Sequence, residues 1–216
     1  MPHAFFPPPP AFAWLFCAAL VGLTAAAAWT DLRRLVIPKS LTLTALALGL
    51  LVNGVRGAWL GASGAAVWAL GASGAAVGAA DAVLFSAAGF ATGFALFFVM
   101  WILGTCGGGD VKLFAALGAW VGPLLTVFVL VSTLVLVVLF GTARLIGTVL
   151  FRGMRSAQRD YSAKAAGGPT PRRRLTAYSL PVALSTTCVL LWVFRTELRL
   201  APPRAAAPAD QVSAVR

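Results

Sequence analysis

Residues 82–110 read AVLFSAAGFATGFALFFVMWILGTCGGGD, and the fold is decided there. The run over 82–103 carries no charged side chain, and it is long enough to cross a hydrocarbon core of roughly 30 Å as a helix. It ends in three glycines and an acid, Asp110. A carboxylate at bilayer depth costs several kcal/mol, roughly 2.5 to 3.5 on insertion scales, unless it faces water or a partner. Outward from this stretch, further apolar runs lie at about 11–29, 40–53, 124–150 and 177–194, and a short span, VKLFAALGAWVG, is interrupted by Pro123. The pattern predicts an all-α, polytopic membrane bundle of about six transmembrane helices with both termini outside.

Composition agrees. The 216 residues are 60% hydrophobic and only 11% charged, far more apolar than the surface of a soluble domain tolerates. The formal charge of +11 raises the question of nucleic acid. Arg and Lys sit mainly between the apolar runs, however, where they orient a membrane protein and meet anionic lipid. The lipid bilayer is therefore the expected partner, and nucleic acid is not. Cys17, Cys106 and Cys188 are far apart with no Cys-x-x-Cys pair, and His3 is the only histidine. No metal site, cofactor or Ser–His couple is expected inside the bundle.

Three regions follow: a Pro-rich N-terminal tail over 1–10, a membrane domain over 11–195, and a Pro- and Ala-rich tail over 196–216 expected to be disordered. Within the domain, 152–174 holds seven Arg and Lys residues against Asp160 alone, the strongest cytoplasmic signal in the chain. The first apolar run lacks a basic leader and feeds into TDLRRLVIPKS, so it is read as an uncleaved span rather than a signal peptide. Arg33, Arg34 and Lys39 place its end in the cytoplasm. Asn53, Gly54 and Gly57 mark the exit of the second run. GASGAAV at 61–67 recurs at 71–77 and is open to three readings: a packed small-residue helix, a re-entrant piece or an external loop. If Asp31 and Asp110 share a face, an even number of crossings separates them. The repeat is then expected not to cross alone.

Six acids exist, so each can be weighed singly. Asp160, Asp210 and Glu197 are expected to be solvated, Glu197 beside Arg195 and Arg199. Asp81 suits the start of a helix. Asp31 and Asp110 each sit where an apolar run meets a cytoplasmic segment. Two carboxylates held close together share a proton, and that state suits peptide hydrolysis, one member accepting a proton from water and the other stabilising the oxyanion. The plainer alternative is a pair of interfacial acids neutralised by Arg33, Arg34 or Lys112. Gly107, Gly108 and Gly109 permit close backbone approach beside an extended substrate, or they form a simple loop.

GGGDVKLFAALGAWVG resembles the GxGD-x-K-L segment of type IV prepilin leader peptidases, a GxGD membrane aspartyl protease family. Gly107, Gly109, Asp110, Lys112 and Leu113 stand in matching places. TDLRRLVIPKS resembles the family's Asp-x-Arg…Ile-Pro-Asn segment through Asp31, Arg33, Ile37 and Pro38, with Lys39 in place of Asn. AYSLPVAL resembles the family's Pro-Tyr-Gly element only through Tyr178. The resemblance implies Asp31 and Asp110 as the catalytic pair, with Gly107, Gly109, Lys112, Arg33 and Pro38 supporting motif or substrate. It also implies a prepilin-like, membrane-anchored protein substrate of the Flp or type IV pilin kind, cut at the cytoplasmic face of the bacterial inner membrane. Larger members carry a zinc-binding insert with two Cys-x-x-Cys pairs and methylate the new terminus. This chain lacks both pairs, so it resembles the short, peptidase-only kind.

Two rivals differ in class. GASG at 61–64 and 71–74 matches the Gly-x-Ser-Gly of rhomboid serine proteases, but a serine nucleophile needs a base, and His3 lies in the N-terminal tail. Alternatively, a transporter or secretion-system assembly subunit would use Asp31 and Asp110 to relay protons or bind cations.

Overall fold

The computed structural model describes residues 5–7, 10–34, 37–64, 74–152 and 179–200. These form five helices: α1 (Pro10–Arg34), α2 (Lys39–Ala62), α3 (Ala75–Ile102), α4 (Gly108–Arg152) and α5 (Ser179–Val193). The first three, and Gly108–Gly147 of α4, are long and apolar enough to cross a membrane, and α5 is a shorter apolar helix. Each boundary has a local cause. Pro10 opens α1, where a missing N–H costs nothing, and Arg33 and Arg34 close it against the negative end of the helix dipole. Pro38, extended at φ −61° and ψ 137°, caps α2. α3 ends in a Schellman turn, with Gly104 at φ 72° and the Thr105 N–H donating to the Met100 carbonyl.

α4 is not one rod. Gly122, at φ 79° and ψ 175°, breaks it ahead of Pro123. A Cβ built on Gly118 would lie 3.2 Å from Thr126 Oγ1, whereas eight residues of straight helix advance about 12 Å. The chain therefore folds back at Gly122, and Pro123 occupies the first turn of the returning limb, where proline is tolerated. Counting both limbs, the described residues hold six helical segments, where the hydropathy pattern predicts about six spans; four helices there are long and apolar enough to cross a membrane. The interruption expected at Pro123 belongs to Gly122: the glycine supplies a positive φ, and Phe85 fills the space its side chain would need.

The first limb is the centre of the molecule. Val111, Leu113 to Leu117 and Ala119 to Val121 are all buried, as befits a helix that is apolar all round. Small residues bring its neighbours close. At Gly89 of α3 a Cβ would overlap the Gly118 carbonyl, and at Gly57 of α2 it would overlap the Gly78 carbonyl of α3. Such stripes let helix backbones touch where lipid supplies no hydrophobic drive.

The second run differs from expectation. α2 does not exit at Asn53 but continues to Ala62, and α3 begins at Ala75. The first GASG thus finishes one helix, and Gly74 of the second caps the next and donates its N–H to Gly61 at 2.9 Å. Residues 65–73 lie outside the described residues. Asn53 is fully buried, and its Nδ2 donates to the Ala119 and Trp120 carbonyls at 2.9 and 3.0 Å. The reversal at Gly122 strips these carbonyls of their helical partners, and Asn53 replaces them. Nearby, Trp120 Nε1 donates to the Ala45 carbonyl at 2.7 Å.

Phe6 is buried against Phe16 and Phe194. Beyond α5 the chain stays packed as far as Leu198, which is buried and whose N–H donates to Phe194 at 2.8 Å. The tail expected to be disordered from 196 thus begins as a docked turn. Loop 152–174, beyond Arg152, falls outside the described residues. Asn53→Leu is expected to lower stability by about 1–3 kcal/mol, because two buried carbonyls lose their donor; the thermal midpoint in detergent measures it.

Candidate active site

Three helix ends converge at one end of the bundle. Asp31 lies in the last turn of α1 and is 7% exposed. Ser179, the first residue of α5, is fully buried and donates its hydroxyl to Asp31 Oδ2 at 2.6 Å. Asp110, the third residue of α4, is 6% exposed. Its Oδ2 accepts the Gly107 N–H at 3.0 Å, while its own N–H donates to the Gly107 carbonyl at 3.0 Å. This is half of a capping box, with glycine at the N-cap and the acid reaching back to it. The positive end of the helix dipole lies there as well.

Ile37 ties the two acids' elements together. It is buried in the link after α1, and a Cβ on Gly109 would lie 3.5 Å from the Ile37 Cβ, an ordinary contact. The link following Asp31 therefore rests on the glycine turn that carries Asp110. Both carboxyl groups are at the same end, buried and hydrogen-bonded, on helices far apart in sequence.

The supporting residues divide. Gly107 and Gly109 shape the turn. Pro38 caps α2 beside Ile37. Arg33 is exposed, with its guanidinium 4.2 Å from the Trp29 ring centre, and Lys112 is exposed on the otherwise buried first limb. Neither reaches an acid through a described contact. Of the serine rival's two candidate nucleophiles, Ser63 is exposed and donates to the Leu60 carbonyl of its own helix at 2.8 Å. Ser73, His3 and Tyr178 lie outside the described residues. Ser179 was not singled out by the sequence, because only folding brings it to Asp31; its one signal is that it adjoins Tyr178 in the weak third motif.

Residues 17–142 match the family model described as the type IV leader peptidase family. The chain belongs to that family. Membership makes it a membrane peptidase, a hydrolase. No curated protein and no solved structure matches the chain. The matched segment contains Asp31, Asp81 and Asp110 and stops before α5.

A second set of charges sits at the opposite end, where sequence reading placed none of importance. Arg56 on α2 is buried, with its guanidinium 3.9 Å from the Phe5 ring centre and 5.1 Å from that of Phe85. Its Nη1 donates to the Phe5 carbonyl at 3.1 Å, and its charge faces Glu197 and Asp81. Glu197, expected to be solvated, instead accepts the Phe5 N–H at 2.8 Å with Oε1, and its Oε2 is buried. Burial pushes the Glu197 carboxyl above its usual range, opposed by the Phe5 and Phe6 N–H groups and by Arg56. Asp81 is buried in the second turn of α3, not at the helix start. Arg56→Met is expected to cost about 3 kcal/mol, since two acids lose their cation. Adding Glu197→Gln should recover part of that loss, and thermal midpoints of the single and double variants measure the coupling.

Proposed function

We propose that this peptidase is an aspartic endopeptidase in which Asp31 and Asp110 act as a pair on one water molecule. The observation that carries the reading is the burial of both acids at one end of the bundle, on elements that Ile37 and Gly109 bring into contact. Few other groups compete for the chemistry: Lys112 and Arg33 are exposed, and Ser63 is turned to its own helix. The ionised member of the pair takes a proton from water as the oxygen attacks the scissile carbonyl. The protonated member hydrogen-bonds the developing oxyanion and then donates to the leaving amine. The bond from Gly107 N–H to Asp110 keeps that carboxyl from swinging into lipid, and the glycine turn leaves room for an extended strand beside it.

The substrate is a prepilin-like protein anchored by one apolar helix, with a basic leader on the cytoplasmic side and the cut between the two. Arg33, Arg34 and Lys39 support this side for the acids, because basic residues stay in the cytoplasm. No cofactor enters the scheme. Asp31→Asn and Asp110→Asn should each reduce cleavage of a prepilin-like substrate at least about a hundredfold while membrane insertion is unchanged. Cleavage retained by either variant rejects the pair, and proton or cation flux into liposomes without peptide supports the transport reading instead.

A further inference from the structure

Most buried hydroxyls whose bonds are described here turn back on their own helix. Thr24 and Thr126 donate to carbonyls four residues earlier, at 3.0 and 2.6 Å, which is the ordinary resort of Ser and Thr in an apolar helix; Thr133 and Ser185, besides facing carbonyls of their own helices, share a bond of 2.6 Å between α4 and α5. Ser179 instead meets an acid. It opens α5, and it donates across the bundle to a carboxyl on α1. The bond is short and buried, and Ser179 lies beyond the segment 17–142 that matches the family.

A buried carboxyl group needs such a partner. The final torsion of an aspartate is broad and roughly two-fold, so packing alone holds the carboxyl plane loosely. One donor on Oδ2 fixes that plane, and with it the place of Oδ1. We propose that Ser179 is a positioning residue: its hydroxyl holds Asp31 by Oδ2 so that Oδ1 is the oxygen presented to the water and the scissile carbonyl. Reaction rates fall steeply when a catalytic group is misplaced by even an ångström. The inference rests on the aspartic reading above and adds to it the helix that completes the site. α5 is then part of the active site rather than a lipid-facing closure of the bundle.

The test uses the full chain in lipid and a membrane-anchored prepilin-like substrate with a basic leader. Ser179→Ala should lower kcat about tenfold, the loss of one hydrogen bond to a charged group, with KM within about twofold. Ser179→Cys, of similar shape and a weaker donor, should fall between Ala and wild type in kcat, and it replaces Ala if that variant does not accumulate. A wild-type kcat, or a loss confined to KM, overturns the proposal. Cleavage retained by Asp31→Asn would instead overturn the aspartic reading itself, so the two failures are told apart.

Discussion

The structure depends on one buried stretch of helix, residues 113–121 in the first limb of α4. Apolar on every side, it must be sheathed by its neighbours, and it ends at Gly122 inside the bundle, where its last carbonyls have no helical partner. Bilayer and packed side chains offer those carbonyls no water. Asn53 of α2 answers them, and the Trp120 indole, bound to Ala45, locks the same two helices lower down. Once this limb is fixed in depth and rotation, so is the acid at its N-terminus.

The candidate site follows from that placement. α4 starts at the Asp110 turn, α1 finishes at Asp31, and the link between α1 and α2 lays Ile37 on Gly109. α5 enters at the same end and offers Ser179. Each acid is thus carried by a helix terminus and held by a donor from the protein, an N–H for Asp110 and a hydroxyl for Asp31. Helix ends suit this task, because their backbone groups are not consumed by the helix itself.

At the other end the same problem is solved with charge. Arg56, Asp81 and Glu197 come from α2, α3 and the turn after α5, and they hold the N-terminal segment at Phe5 and Phe6. Paired buried charges add little net stability, but separating them is costly. The cluster therefore acts as a clasp on register: α1, α2, α3 and α5 cannot slide past one another without exposing an uncompensated ion.

Much of this was legible in the residues. Apolar runs of spanning length demanded helices, and the two motifs around Asp31 and Asp110 pointed to a leader peptidase. What the runs hid were polar side chains whose meaning depends on a partner far along the chain. Asn53 read as a loop signal, Glu197 as a solvated charge, and Ser179 as nothing in particular. Hydropathy registers the solvent that a segment prefers, and that is local. Which carbonyl lies orphaned, which cation faces an acid, and which hydroxyl meets Asp31 are decided only when helices pack, because each of those bonds joins residues that no periodicity relates.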